Sequence, residues 1–171
     1  MGEAAQRLQT GVVVVMGVSG AGKTTVGRGL ATRLGWQFAD GDDFHSADNV
    51  AKMAQGLPLE ECDRTPWLQS LRQFIQQQIA ASQPTVLACS ALKADYRHWL
   101  QVGPQVQFAY LSGDPELIRQ RLIQRQGHYM KAALLDSQLA SLEVPETAVV
   151  IDIDQPPEAM VDEIIAALSV G

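Results

Sequence analysis

Five consecutive apolar residues, Val12–Met16, run directly into Gly17-Val18-Ser19-Gly20-Ala21-Gly22-Lys23-Thr24. No other stretch restricts the fold as much. A run this short and this apolar predicts a strand buried on both faces. The octapeptide after it reads G-x-x-x-x-G-K-[ST], and a helical pattern continues from Lys23 to Leu34. Strand, glycine-rich loop and helix in that order predict a cradle whose backbone N–H groups surround a phosphate. Gly17 and Gly22 let the backbone turn where a side chain would clash. Val18, Ser19, Gly20 and Ala21 complete the cradle, and Thr25 carries it into the helix. That helix aims its unsatisfied N–H groups and the positive end of its dipole at the same anion. Lys23 is placed to reach the β- and γ-phosphates, and the Thr24 hydroxyl to ligate Mg²⁺. The chain is expected to bind a nucleoside triphosphate; the open question is what receives the phosphate.

The rest of the chain continues the alternation. Strands are expected at Gln37–Asp40, 85–90, 106–111 and 148–153, and helices at 66–81, Ala94–Leu100, 115–125, 134–142 and 157–168. Gly35 stands where a helix-closing glycine belongs. Pro66, Pro115 and Pro157 fit first-turn positions, where a missing N–H costs nothing. This pattern predicts one α/β domain over residues 1–171: a five-stranded parallel sheet between two layers of helices. Two stretches exceed the minimal alternation. Residues 44–82, polar in their first half, are the candidate acceptor-binding insertion, and the basic segment 124–131 is the candidate lid, which would exclude water. The plain alternative for each is ordinary surface loop.

Charge narrows the acceptor. A net charge of −6 leaves no basic surface for nucleic acid, so a small substrate is expected. No apolar run spans a bilayer, and residues 1–10 lack the apolar core of a secretory signal, reading instead as a flexible arm. Cys62 and Cys89 match no metal spacing and read as reduced thiols of a cytoplasmic protein.

The acidic group Asp40-Gly41-Asp42-Asp43 follows the second strand. In open α/β sheets the ligand crevice lies at the carboxyl ends of the strands, so this group should face the phosphate loop. Asp40 is the candidate to hold Mg²⁺ through water, and Asp42 the candidate to take the acceptor's proton. Asp43, on an extended strand end, is expected to point away from Asp42. An Asp-rich turn capping the next segment is the alternative. Asp63-Arg64-Thr65-Pro66 reads as a helix start with Thr65 as its cap; Arg64 offers a planar fork to a carboxylate, or else pairs with Asp63. The third strand carries no acid where a metal-binding carboxylate would normally sit, which adds weight to Asp40. Lys93 and Arg97, four apart, share one helix face, either toward a ligand or toward solvent. Arg119, Arg121, Arg125, His128 and Lys131 crowd the candidate lid; arginines there can neutralise a transferring phosphoryl group, Arg125 foremost.

Several of these segments together resemble the gluconate kinases. The residues are Asp40-Gly41-Asp42, His45, Asn49, Lys52-Met53, Gly56, Pro58-Leu59 and Asp63-Arg64 with Pro66-Trp67-Leu68. Cys89-Ser90-Ala91-Leu92-Lys93 with Tyr96-Arg97, Gly127-His128, Ser137-Gln138 with Leu142-Glu143 and Pro145, and Asp152-Ile153-Asp154-Gln155-Pro156 extend the likeness to the C-terminus. Tyr129 departs from a frequent Phe, and Asp43-Phe44 from an apolar pair. The resemblance implies a sheet of the nucleoside-monophosphate and shikimate kinase type, and an ATP-dependent kinase that makes 6-phosphogluconate from D-gluconate. It implies that Asp42 contacts the sugar acid near its reactive hydroxyl and Arg64 its carboxylate. His45, Lys93, Arg97 and His128 would lie about the acceptor; Arg121, Arg125, Gln155 and Pro156 would serve nucleotide and lid. A homodimer is implied by the family alone. Two alternatives remain at this stage: a kinase for another hydroxy acid such as shikimate, and a nucleotide-dependent switch. Against the switch, no Asn-Lys-x-Asp guanine-reading motif occurs.

Overall fold

The computed structural model describes residues 11–126 and 129–170; the side chains of residues 125–133 and 169–170 lie outside that description. The elements in order are β1 (Val12–Met16), α1 (Lys23–Leu34), β2 (Gln37–Asp40), a 3₁₀ turn (Gly41–Phe44), α2 (Ala47–Ala54), α3 (Glu61–Ala80), β3 (Thr85–Ala88), α4 (Ala94–Leu100), β4 (Val106–Ser112), α5 (Pro115–Gln126), α6 (Tyr129–Ser141), β5 (Val149–Asp152) and α7 (Pro157–Val170). The five strands form one parallel sheet in the order β2-β3-β1-β4-β5.

Every residue of β1 is buried because it is the central strand, covered on both faces. Strand alternation sends Val13 and Val15 into a core with Leu30, Ile118, Leu135, Val161 and Ile164 from α1, α5, α6 and α7. Val12, Val14 and Met16 meet Trp67, Leu71, Ile75, Tyr96 and Leu100 from α3 and α4 on the other face. This is the three-layer arrangement that the alternation predicts. Among the described residues no helix is long and apolar enough to cross a membrane. Cys62 is exposed, Cys89 is buried, and both are free.

Four expectations need correction. The acidic group after β2 is not extended: Asp42 and Asp43 sit in the 3₁₀ turn, and the Asp40 carboxylate caps it by accepting from the Asp42 N–H at 3.0 Å. The polar stretch after it holds α2, whose Ser46 cap accepts from the Asn49 N–H at 3.1 Å. Helix α3 starts at Glu61 rather than at Pro66, because Asp63 Oδ2 accepts from the Glu60 N–H at 2.9 Å and closes the first turn there. Pro66 is therefore inside the helix, and Thr65 is no cap: its hydroxyl donates to the Glu61 carbonyl at 3.0 Å. Lastly, α5 and α6 continue into the basic segment from both sides, so its described backbone is helix end and not loop.

Candidate active site

The phosphate loop turns between the carboxyl end of β1 and the start of α1. Gly22 caps α1 with φ 100°, a left-handed conformation that a side chain would strain. At Gly20 a Cβ would lie 2.7 Å from Leu122 Cγ, so only glycine lets α5 pack this close to the loop. Lys23 Nζ donates to the Val18 carbonyl at 3.0 Å, folding its side chain back over the loop. Loss of solvent lowers the Lys23 pKa; the carboxylate of Asp42 is the largest of the charges that push it back up.

Two cavities flank this loop. One, of about 360 Å³, is lined by Gly20, Ala21, Gly22 and Thr25 together with Arg121, Gln124, Gln155 and Pro157. The expected nucleotide residues Arg121 and Gln155 thus come together on the side of the loop away from the acidic turn. Arg121 Nη2 donates to the Ile153 carbonyl at 3.2 Å, and Gln155 Nε2 to the Asp152 carbonyl at 2.7 Å. Pro156, between two lining residues, starts α7 by accepting from the Ala159 and Met160 N–H groups.

The other cavity, of about 490 Å³, is lined by Ser19, Lys23, Asp42, Asp43, His45, Arg64, Trp67 and Ser90, with Met53, Pro58 and Leu59 as an apolar wall and Leu134, Ser137 and Gln138 from α6 above. Lys23 and Asp42 therefore share one chamber. Contrary to the extended-strand expectation, Asp43 shares it too, because the 3₁₀ turn brings both carboxylates to the same wall.

Thr24 and Asp40 meet as the sequence predicts: Thr24 Oγ1 donates to Asp40 Oδ2 at 3.0 Å. A hydroxyl and a carboxylate are hard oxygen donors, of the kind Mg²⁺ takes. β3 carries no acid, and Cys89 follows it, its thiol pushed up to about 12 by burial and hence protonated and inert.

Arg64 Nη1 donates to Tyr96 Oη at 3.2 Å and approaches Glu61 Oε1 at 3.4 Å. The same Glu61 oxygen accepts from Tyr96 Oη at 2.6 Å and from Lys93 Nζ at 3.0 Å. The Tyr96 and Lys93 hydrogen bonds hold the Glu61 carboxyl below its ordinary pKa. Three donors thus converge on one carboxylate oxygen at the cavity's edge. Asp63, the alternative partner for Arg64, instead binds Lys52 Nζ at 2.8 Å.

His45 stacks on Trp67, ring centroids 4.4 Å apart and 10° from parallel. Burial lowers the His45 pKa, and Arg64 acts in the same sense against Asp42. Arg97 does not line this cavity. Its guanidinium donates to the Ala91, Leu92 and Glu143 carbonyls at 2.8–3.0 Å, tying the segment after β3 to the end of α6. Arg119 likewise joins α5 to α6 through Asp136. The side chain of Arg125 and all of His128 lie outside the described residues.

Sequence reasoning assigned no role to Asn49, Glu61, Trp67 or Gln138. Gln138 Oε1 accepts from the Ser19 N–H of the phosphate loop at 2.6 Å. A carbonyl oxygen thus stands against a loop N–H that the sequence assigns to phosphate. Only the fold brings residues 119 positions apart to that contact.

Comparisons with known proteins give the family. A family model described as an AAA domain matches residues 12–145, the phosphate loop included. The gluconokinase of Gluconobacter oxydans is 45% identical over 157 residues, covering 90% of this chain and 88% of its own. The chain belongs to the gluconokinase family. The thermoresistant gluconokinase of Escherichia coli is 42% identical over 165 residues, 94% of each chain. A crystal structure of a gluconokinase from Sinorhizobium meliloti superimposes with a TM-score of 0.86 at 38% identity, covering 95% of this chain and 93% of that one. The resemblance read from the motifs is thus borne out, and so are the P-loop kinase fold and nucleotide use.

Proposed function

We propose that the protein transfers the γ-phosphoryl group of ATP to the 6-hydroxyl of D-gluconate. The observation that carries this reading is the phosphate loop as a wall common to two cavities, with Lys23, Asp42 and Arg64 in the one opposite the Arg121–Gln155 side. Nucleotide bound from one side presents its terminal phosphate to an acceptor held on the other.

The loop N–H groups and Lys23 hold the phosphates and offset the charge that spreads over the transferring group. Thr24 and Asp40 would hold Mg²⁺, which would offset the negative charge of the phosphates during transfer. Arg64 grips the carboxylate of the sugar acid, with Lys93 and Tyr96 beside it, while His45 faces its hydroxyls. This sets the far end of the acceptor toward Asp42. As the hydroxyl oxygen bonds to the γ-phosphorus, the bond to the β-bridging oxygen breaks, and the hydroxyl proton passes to Asp42. Residues 44–82 form the acceptor side. Residues 124–131, with Arg125 and His128, act as the lid, and Gln138 leaves Ser19 when the phosphate arrives. The cytoplasm, where ATP is plentiful and thiols stay reduced, suits the reaction.

The test is ADP release, measured by a coupled assay with gluconate, other aldonates and shikimate. Gluconate should give the highest kcat/KM. A shikimate rate above that with gluconate would replace the acceptor, and nucleotide turnover indifferent to every hydroxy acid would favour a switch.

A further inference from the structure

Asn49 is a buried polar residue, 5% exposed, in a protein whose described core is otherwise apolar save Thr85. Burying an amide is favourable only if its hydrogen bonds are made. Asn49 Nδ2 lies 2.8 Å from the Asp63 carbonyl and 3.3 Å from His45 Nδ1. The first contact fixes the second. A backbone carbonyl accepts and never donates, so the amide end facing Asp63 must be the NH₂. Its remaining N–H then points at His45 Nδ1, which must present a lone pair. The imidazole proton is left on Nε2.

We propose that Asn49 is a positioning residue that holds His45 as its neutral Nε2–H tautomer, so that the ring gives the acceptor a hydrogen-bond donor. The ring is fixed in place as well as in tautomer. It stacks on Trp67, and Trp67 Nε1 donates at 2.8 Å to the carbonyl of Gly41, the residue before Asp42. One chain of contacts therefore runs from Asn49 on α2, through His45 and Trp67, to the turn that carries the candidate base. Forming the imidazolium would set an Nδ1–H against the Asn49 N–H, two donors face to face. Burial and Arg64 also oppose the cation, and Asp42 favours it.

The use of such a donor follows from hydroxyl chemistry. A hydroxyl both donates and accepts. If a sugar hydroxyl accepts from His45 Nε2–H, its own proton is directed elsewhere, and Asp42 in the same cavity is an acceptor for it. A ring with the opposite tautomer would compete for that proton. This role rests on the sugar-acid reading, but the tautomer itself does not.

The experiment is long-range ¹H–¹⁵N correlation of the histidine rings in the full chain at neutral pH, without acceptor. Only three histidines are present, and the signal missing in His45→Gln assigns His45. The expected spectrum shows bare Nδ1 and protonated Nε2. Asn49→Asp puts an acceptor against Nδ1 and should move the proton there or give the imidazolium. It should also raise KM for gluconate about 5–10-fold, the worth of one hydrogen bond, and leave KM for ATP unchanged. A wild-type ring with protonated Nδ1 overturns the proposal, and so does an Asn49→Asp ring that keeps the wild-type tautomer. Should Asn49→Asp not fold, two substitutions at His45 decide. Glutamine keeps an N–H near the Nε2 position and should retain more activity than asparagine, whose N–H falls near Nδ1. Equal loss, or the reverse order, overturns the proposal. The expected tautomer in an enzyme that ignores gluconate would overturn the acceptor and leave the tautomer standing.

Discussion

Arg64→Ala tests the acceptor site most sharply. In the structure Arg64 uses Nη1 alone, toward Tyr96 and Glu61. Among the described residues no side chain or carbonyl takes its Nε or Nη2, so one edge of the guanidinium fork remains for a ligand carboxylate. A charge-assisted contact of this kind contributes about 1.5–3 kcal/mol, a factor of roughly 10–150 in binding. The Glu61 carboxylate on Nη1 repels an incoming carboxylate at the free edge and so reduces the net gain. That effect is weak: Glu61 is 62% exposed and lies 3.4 Å from Nη1, and exposed pairs are worth about 0–1 kcal/mol. Arg64→Ala should therefore raise KM for gluconate about 10–100-fold with KM for ATP little changed. Arg64→Lys should rescue only in part, since lysine lacks the fork. Glu61→Gln should lower KM for gluconate by no more than about fivefold, the ceiling for an exposed pair. Initial rates over a grid of both substrates measure all three. Equal rises in both KM values would refute the assignment, and a loss confined to kcat would place Arg64 on the transferring group.

Asp42→Asn should cut kcat by roughly 10²–10⁴-fold with a smaller change in KM, the worth of general-base help, while Asp43→Asn, on the same wall, should cost under about tenfold; stopped-time assays that reverse this order would make Asp43 the base. Asp40→Asn should raise the Mg²⁺ concentration for half-maximal rate, as titration of MgCl₂ at fixed ATP would show, and an unchanged midpoint would remove Asp40 from the metal. Lys23→Met should lower kcat at least about 10²-fold in a protein that keeps its circular dichroism and melting temperature, and near-normal turnover would sink the phosphate-loop reading.

Much of the fold was legible because local chemistry fixed it. The bounds of β1, α1 and β2 match the sequence reading residue for residue, with Gly11 and Gly17 flanking β1, Gly22 and Gly35 flanking α1, and Asp40 ending β2. The meeting of Thr24 and Asp40 also follows from topology, since both lie at the carboxyl edge of the sheet. What failed was local structure set by side-chain caps. Pro66 reads as a first-turn proline, but the Asp63–Glu60 bond starts α3 five residues earlier. The α2 sequence is only eight residues long, and its apolar positions are interrupted by Asp48, Asn49 and Lys52, so its cap Ser46 precedes no continuous apolar run. Asp43 turned into the cavity because a 3₁₀ turn breaks strand alternation. Long-range contacts were invisible in principle. Neither Gln138 on Ser19, nor Asn49 on Asp63, nor Glu61 between Lys93 and Tyr96 leaves a spacing to read. Arg97 shows the converse: a basic side chain in a family motif, four residues from Lys93, whose donors are spent on three backbone carbonyls.

In the proposed reaction the phosphoryl group passes from ATP to the sugar acid across the phosphate loop. ³¹P NMR of the protein with MgATP and gluconate tests it directly. One new phosphomonoester signal, coupled to the two methylene protons of C6 and growing in step with ADP, is the predicted result. ADP with inorganic phosphate and unaltered gluconate would contradict it.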